Sequence, residues 1–361
     1  MNREAVDRIA RALLYEGYLL YPYRPSVKNR HRWTFGGLAP EAWSAPGGGR
    51  SEGVKGPGVD PCSLQAECLL AAGPGAALEV ELRFLQVVRR TLEGPAASGS
   101  ESYAGGRPET SPVDPSWSGE AIPRSWQEAR ERRVALDPAP LRDLAERSRS
   151  EPFAFAPDVE RDESGGANVL RESDSLQGAV ELSALARAEG LYQVTVRARN
   201  TTAVLGPPPA RRDEAVLRSF ISTHLVLGAS DGEFVSLLDP PPAWRDLAAG
   251  CRNSGVFPVL VGSGSEKDTM LASPIILYDY PQVAPESPGD LFDATEIDEI
   301  LTLRILTLTG EEKRLMAAVD ARARALLERT ESLGAESVLG LHGALRGLRT
   351  VSPGHSGEST P

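Results

Sequence analysis

The chain has little of the material from which most active sites are built. Its three cysteines, Cys62, Cys68 and Cys251, form no C-x-x-C pair, which excludes a written zinc ribbon or iron–sulfur ligand set. A bridge between Cys62 and Cys68 is awkward, because six extended residues hold the two sulfurs roughly 20 Å apart. An odd, low cysteine count suits a reducing compartment. The four histidines (His31, His224, His342, His355) are scattered and spell neither H-x-x-x-H nor H-E-x-x-H. No G-x-S-x-G elbow is present, and Gly262-Ser263-Gly264 lacks a Walker lysine, so it reads as a turn. No apolar run approaches the ~20 residues of a membrane span, and the opening Met1-Asn2-Arg3-Glu4 leads into an amphipathic segment instead of a secretory leader. Positive charge is also short: a net charge of −11 argues against nucleic acid or an anionic membrane as partner. A cytoplasmic protein with no bound cofactor is the expectation.

What the chain does contain is glycine (35), proline (29) and strand-like alternation. Its 361 residues are enough for a sizeable core, interrupted by irregular segments. Asn2 is placed to cap a first helix whose Val6, Ile9, Ala10, Leu13 and Leu14 share one face. Leu64 to Leu70 and Leu78 to Phe84 alternate about Gly73-Pro74-Gly75, which predicts a hairpin. Ile122 to Leu136 suits a strand, although its Glu and Arg content also permits a helix. Ala179 to Ala198 carries the clearest β pattern, with a turn at Glu189-Gly190. Val216 to Leu227 reads as a strand apolar on both faces, followed by an Asp231-Gly232 turn and a strand from Phe234. A short helix near Trp244 to Ala249 and strands at Val256 to Val261 and Ile275 to Tyr280 complete the body.

Short strands joined by tight turns, without βαβ alternation, predict an α+β protein with an antiparallel β-sandwich body. The expected order is an N-terminal helix and aromatic, basic arm (1–45), a sandwich over 60–292 with mobile insertions near 94–120 and 156–175, a helical segment over 293–349 and a disordered tail at 350–361.

Two stretches stand out as candidate sites. In the arm, Tyr21, Tyr23, Arg24, Arg30, Arg32 and Trp33 crowd rigid rings among guanidinium groups, a composition suited to a protein-partner surface or to an arm packed on the sheet. The acidic hinge 279–299 carries Asp279, Glu286, Asp290, Asp293, Glu296, Asp298 and Glu299. Carboxylates suit a hard cation, with Asp290, Asp293 and Glu296 as the ligands such a site would use. Asp293 and Glu296 equally stand where an N-cap and its partner belong, and the capping rules favour that reading. His224, mid-strand in FISTHLV, suits a structural side chain, and Cys251 an inert thiol, even though Arg252 beside it could lower a thiol pKa.

Residues Leu13 to Pro40 (LLYEGYLLYPYRPSVKNRHRWTFGGLAP), Cys251 to Gly262 (CRNSGVFPVLVG) and Ser273 to Thr309 resemble an uncharacterised bacterial protein family associated with gene clusters of uptake nickel–iron hydrogenases. The resemblance spans most of the chain apart from its linkers and brings no catalytic residues with it. It implies a non-catalytic accessory or assembly protein that holds a hydrogenase subunit or maturation protein. The alternative from the residues alone is a metal-dependent hydrolase or similar enzyme that uses the acidic hinge 279–299.

Overall fold

The computed structural model describes residues 2–16, 36–44, 60–93, 125–164, 167–204, 212–282, 309–310, 313–314 and 321–332. The fold is α+β, with a large antiparallel sheet and few, short helices. Among the described residues the α-helices are α1 (Arg3–Glu16), α2 (Leu141–Glu146), α3 (Arg212–Ala215), α4 (Arg245–Ala249) and α5 (Ala321–Ser332). The strands are β1 (Ser63–Glu93), β2 (Ser125–Ala135), β3 (Ala139–Pro140), β4 (Arg149–Phe155), β5 (Asp158–Ser164), β6 (Ala167–Ser173), β7 (Leu176–Ala188), β8 (Leu191–Asn200), β9 (Ile221–Val235), β10 (Phe257–Leu260) and β11 (Thr269–Ser273). No helix among the described residues is long and apolar enough to cross a membrane.

The sheet is organised around β1. Its order is β10-β11-β9-β1-β8-β7-β4, with β2, β3 and β6 also paired to β1 and β5 paired to β6. β1 meets β8 along residues 63–71, β9 along 69–85, β2 along 81–91 and β6 along 89–93. Leu64, Ala66, Cys68, Leu70, Leu78, Val80, Leu82 and Phe84 all bury into one cluster. Val180, Leu182, Val194, Val196, Leu225 and Leu227 join them from the neighbouring strands. Met270 of β11 and Phe153 and Phe155 of β4, from opposite ends of the strand order, pack on this same cluster. The sheet is therefore folded over on itself, with its inward faces opposed as in a sandwich.

The expected hairpin turn at Gly73-Pro74-Gly75 is a correction. β1 continues through it, and so does β9 through Asp231-Gly232, where a second turn was expected. The two sites lie opposite each other: pairing runs to Ala72↔Gly232, slips, and resumes at Ala77↔Ser230. Glycine and proline here serve a bulge that bends both strands together. Core parity survives the bend, since Leu70 before it and Leu78 after it face the same way.

The strand expected over Val216 to Leu227 begins only at Ile221, after a 3-10 turn at Val216–Arg218, and its expected double-sided burial has a simple cause. One face meets the central core, and the other lies under α1. Val6, Ile9, Ala10 and Leu13 pack on Val226, Val259, Val261, Leu271 and Leu277, while Leu14 packs with Leu85, Val87, Val216 and Ile221. Asn2 caps α1 as expected, its Oδ1 accepting Ala5 N at 3.1 Å.

Three further expectations change. The 156–175 stretch, read as irregular, holds the β5–β6 hairpin. Its strands lack apolar alternation because ion pairs line them: Arg130 with Asp158 and Glu160, and Arg171 with Glu128 and Asp162. Among the described residues the last strand is Thr269–Ser273, buried at every residue, and Ile275–Tyr280 is not a strand at all. Ile122 to Leu136 resolves to strand, over Ser125–Ala135. The arm, the 94–120 insertion and the tail lie outside the described residues, as does most of 293–349.

Candidate functional site

Of the sequence-predicted site residues, Tyr21, Tyr23, Arg24, Arg30, Arg32 and Trp33 lie outside the described residues, as do Asp290, Asp293 and Glu296. The body does show where the arm joins it. The chain leaves α1 at Glu16 and is held again at Gly36, whose carbonyl accepts Thr223 N at 3.0 Å. Gly36 has φ +59°, and a Cβ there would fall 2.6 Å from Pro274 Cγ, so only glycine suits this junction. Leu38 then bridges Phe220.

Among the described residues the most exposed large apolar side chains lie on the segment after β11. Ser273 Oγ donates to the Ile275 carbonyl, and Leu277 turns inward onto the patch beneath α1. Tyr280 N donates to the Leu260 carbonyl at 2.7 Å, and Leu260 N donates to Asp279 Oδ1 at 2.8 Å. Ser236 Oγ donates to the other Asp279 oxygen. Asp279, the first acid of the hinge, thus finishes the open edge of β10 with its carboxylate. Between these anchors Ile276 is 82% exposed and Tyr278 87%. The alternation that suggested a strand is present, but its outer apolar side faces solvent. Burial, with Asp279, Glu233 and Glu266 nearby, raises the Tyr280 phenol above its ordinary value, which marks the surroundings as acidic.

A second cluster lies under α1. Arg83 is 2% exposed and sits between two carboxylates: its Nε donates to Glu81 Oε1 at 2.5 Å, and its Nη2 donates to Asp7 of α1. Arg133 lies 3.7 Å from Asp7, and Arg3 lies 3.5 Å from Glu81. His224 faces Arg83 across the β1–β9 ladder and is fully buried, its Nδ1 2.5 Å from the Ser222 carbonyl. Burial lowers its pKa to about 4 and Arg83 pushes the same way, against the Ser222 hydrogen bond. The ring is neutral at pH 7. Among the described residues no group of three or more His, Cys, Asp or Glu side chains is placed to hold a metal ion.

Two of the thiols, Cys251 and Cys68, are poor nucleophiles. Burial and then Glu67 raise Cys251 to about 11, partly offset by Arg187. The lowering charge is Arg187 and not the adjacent Arg252, which directs its backbone N–H to Glu67 Oε2 at 2.7 Å. Cys68 is fully buried and raised further. A cleft of about 400 Å³ opens beside α2, lined by Asp143, Leu144, Arg147 and Arg149 among others. It joins none of the groups above. The Arg83–His224 pairing escaped sequence reading because the two residues meet only through strand register, whereas Ile276 and Tyr278 lay within a stretch already singled out. No protein-family model matches the chain, and no curated protein matches it.

Proposed function

We propose that this protein is a non-catalytic accessory or assembly protein, acting through protein–protein contacts on a nickel–iron hydrogenase subunit or one of its maturation proteins. The observation that carries the contact is the pair Ile276 and Tyr278, held outward on a backbone tethered at Ser273, Asp279 and Tyr280. A fixed backbone presenting a large ring and a branched aliphatic side chain needs little further ordering on binding, which is the property of an interface anchor. Asp279, Glu233 and Glu266 nearby suit a partner whose apolar contact is rimmed by Arg or Lys. The choice of partner rests on the family resemblance, whose residues 251–262 and 273–309 include β10 and this segment. The arm residues Tyr23 and Trp33 are proposed as a second part of the same contact.

The test is affinity capture from native cells with mass spectrometry, using wild type, Ile276→Ala/Tyr278→Ala and Tyr23→Ala/Trp33→Ala. Wild type should recover a hydrogenase subunit or maturation protein, and the first double variant should lose it. Recovery of no hydrogenase-related protein by wild type sinks this reading. Stoichiometric bound metal that disappears in Asp290→Ala or Asp293→Ala would replace it with a metal-dependent hydrolase using the hinge 279–299.

A further inference from the structure

Arg83 and His224 stand opposite each other in the β1–β9 ladder, and each ends in a buried polar atom without a hydrogen-bond partner. On Arg83 this is Nη1, because Nε is given to Glu81 and Nη2 to Asp7. On His224 it is Nε2. The Ser222 carbonyl facing Nδ1 can only accept, so Nδ1 carries the ring proton and Nε2 is left as a bare lone pair. Two wholly buried side chains thus present one donor and one acceptor that do not bond to each other. Leaving such atoms unsatisfied is costly, and native interiors rarely tolerate it.

The chemistry of the pair restricts what fits between them. A metal cation would find the His224 lone pair but also the Arg83 guanidinium charge. A fully deprotonated oxyanion would accept from Nη1 but has no proton for Nε2, and for any anion Asp7 and Glu81 already supply the countercharge. What satisfies both atoms is a neutral group that accepts once and donates once. The backbone is opened at this point. The ladder slips between Arg83 and Leu85, and Ser222, with φ +52°, is bulged out of regular pairing. α1 closes the place from above through Asp7 and through the Leu13 carbonyl, which accepts Ser222 Oγ at 3.3 Å.

We infer that a single internal water molecule is bound beneath α1, accepting from Arg83 Nη1 and donating to His224 Nε2. It is a constituent of the fold that joins β1 to β9 where their direct pairing slips. The charged groups clustered with Arg83 are Asp7 and Arg3 from α1, Glu81 from β1, and Arg133 from β2. Internal waters of this kind typically hold about three hydrogen bonds and are hard to remove.

Two measurements on the full, unsubstituted chain decide it. Long-range nitrogen–proton NMR correlation reads the ring tautomer, and with four histidines the His224 signals are assigned by replacing His31, His342 and His355 in turn. The expected result at pH 7 is a proton on Nδ1, a bare Nε2 and a cross-relaxation peak from the ring to a slowly exchanging water. A high-resolution crystal structure should then show that water within about 3.2 Å of both atoms. A proton on Nε2, a direct Arg83–His224 hydrogen bond, or a ring with no slowly exchanging water beside it would each overturn the inference.

Discussion

Asp231 plugs the bulge that Gly75 helps to form: Gly75 N donates to Asp231 Oδ2 at 3.0 Å, and a Cβ on nearby Gly73 would fall 2.5 Å from the same carboxylate. This contact fixes the shared bend of β1 and β9, and the bend lets one sheet enclose its own core. Gly73→Ala is expected to displace Asp231 and lower stability by about 1–3 kcal/mol. Asp231 has φ +50°, so Asp231→Val should be worse still, while Asp231→Asn, which tolerates that conformation and keeps an acceptor, should stay near wild type. Urea unfolding of the three variants reads the order, and equal midpoints would refute the plug.

His224 makes stability depend on pH. Its folded pKa of about 4 lies below the ~6.5 of an unfolded histidine. Below pH 6.5 the unfolded chain therefore binds more protons than the folded one, and stability falls as pH falls. The loss accumulates between about pH 6.5 and 4 and amounts to roughly 3 kcal/mol from this residue before it levels off. His224→Phe should remove that component of the slope even if it lowers stability at every pH. Denaturant titrations at pH 4.5 and 7.5 give the comparison, and an unchanged difference in the variant would contradict it.

Arg83 joins α1 to β1 through Asp7. Replacing it with Ala takes the buried counterion from Glu81 and the nearest one from Asp7, leaving Arg3 at 3.5 Å from Glu81 and Arg133 at 3.7 Å from Asp7. The loss should be about 3 kcal/mol, the low end for a buried pair, because Asp7 is 36% exposed. Lysine should not rescue it, since one ammonium cannot reproduce two separate N–H bonds with fixed geometry. Hydrogen exchange checks the location: α1 amides should lose protection first in Arg83→Ala.

Ile276 and Leu277 are neighbours with opposite surroundings, the first 82% exposed and the second 7%. Ile276→Ala and Tyr278→Ala should leave stability within about 0.5 kcal/mol of wild type, whereas Leu277→Ala should lose about 2–4 kcal/mol. Thermal melts separate the two classes. A large stability loss in Ile276→Ala would mean that this side chain is covered by the protein itself and is no contact surface.

The features legible in the amino-acid sequence were those written in short periods. Asn2 and the face Val6, Ile9, Leu13 specify α1, because capping and 3.6-residue spacing act within a few turns. The alternation from Leu64 to Phe84 and from Val180 to Ala198 specifies strands with one buried side, because successive side chains must point to opposite faces. Tertiary structure decided everything that depends on which strand lies alongside. Gly73-Pro74-Gly75 and Asp231-Gly232 carry the same residues a reversing turn would use, and they become a bend only because each faces the other across a continuous ladder. β5 and β6 look irregular in isolation because their order comes from ion pairs with β2 as well as from apolar burial. Ile275 to Tyr280 has a strand's alternation, yet it forms no ladder with β10: it hydrogen-bonds Leu260 through Asp279 and Tyr280 and packs Leu277 beside Val259. Arg83 and His224 are unremarkable as residue types. Burial by α1 and register across β1 and β9 bring a guanidinium against an imidazole in a place without bulk solvent, and it is desolvation there that gives the pair its chemistry.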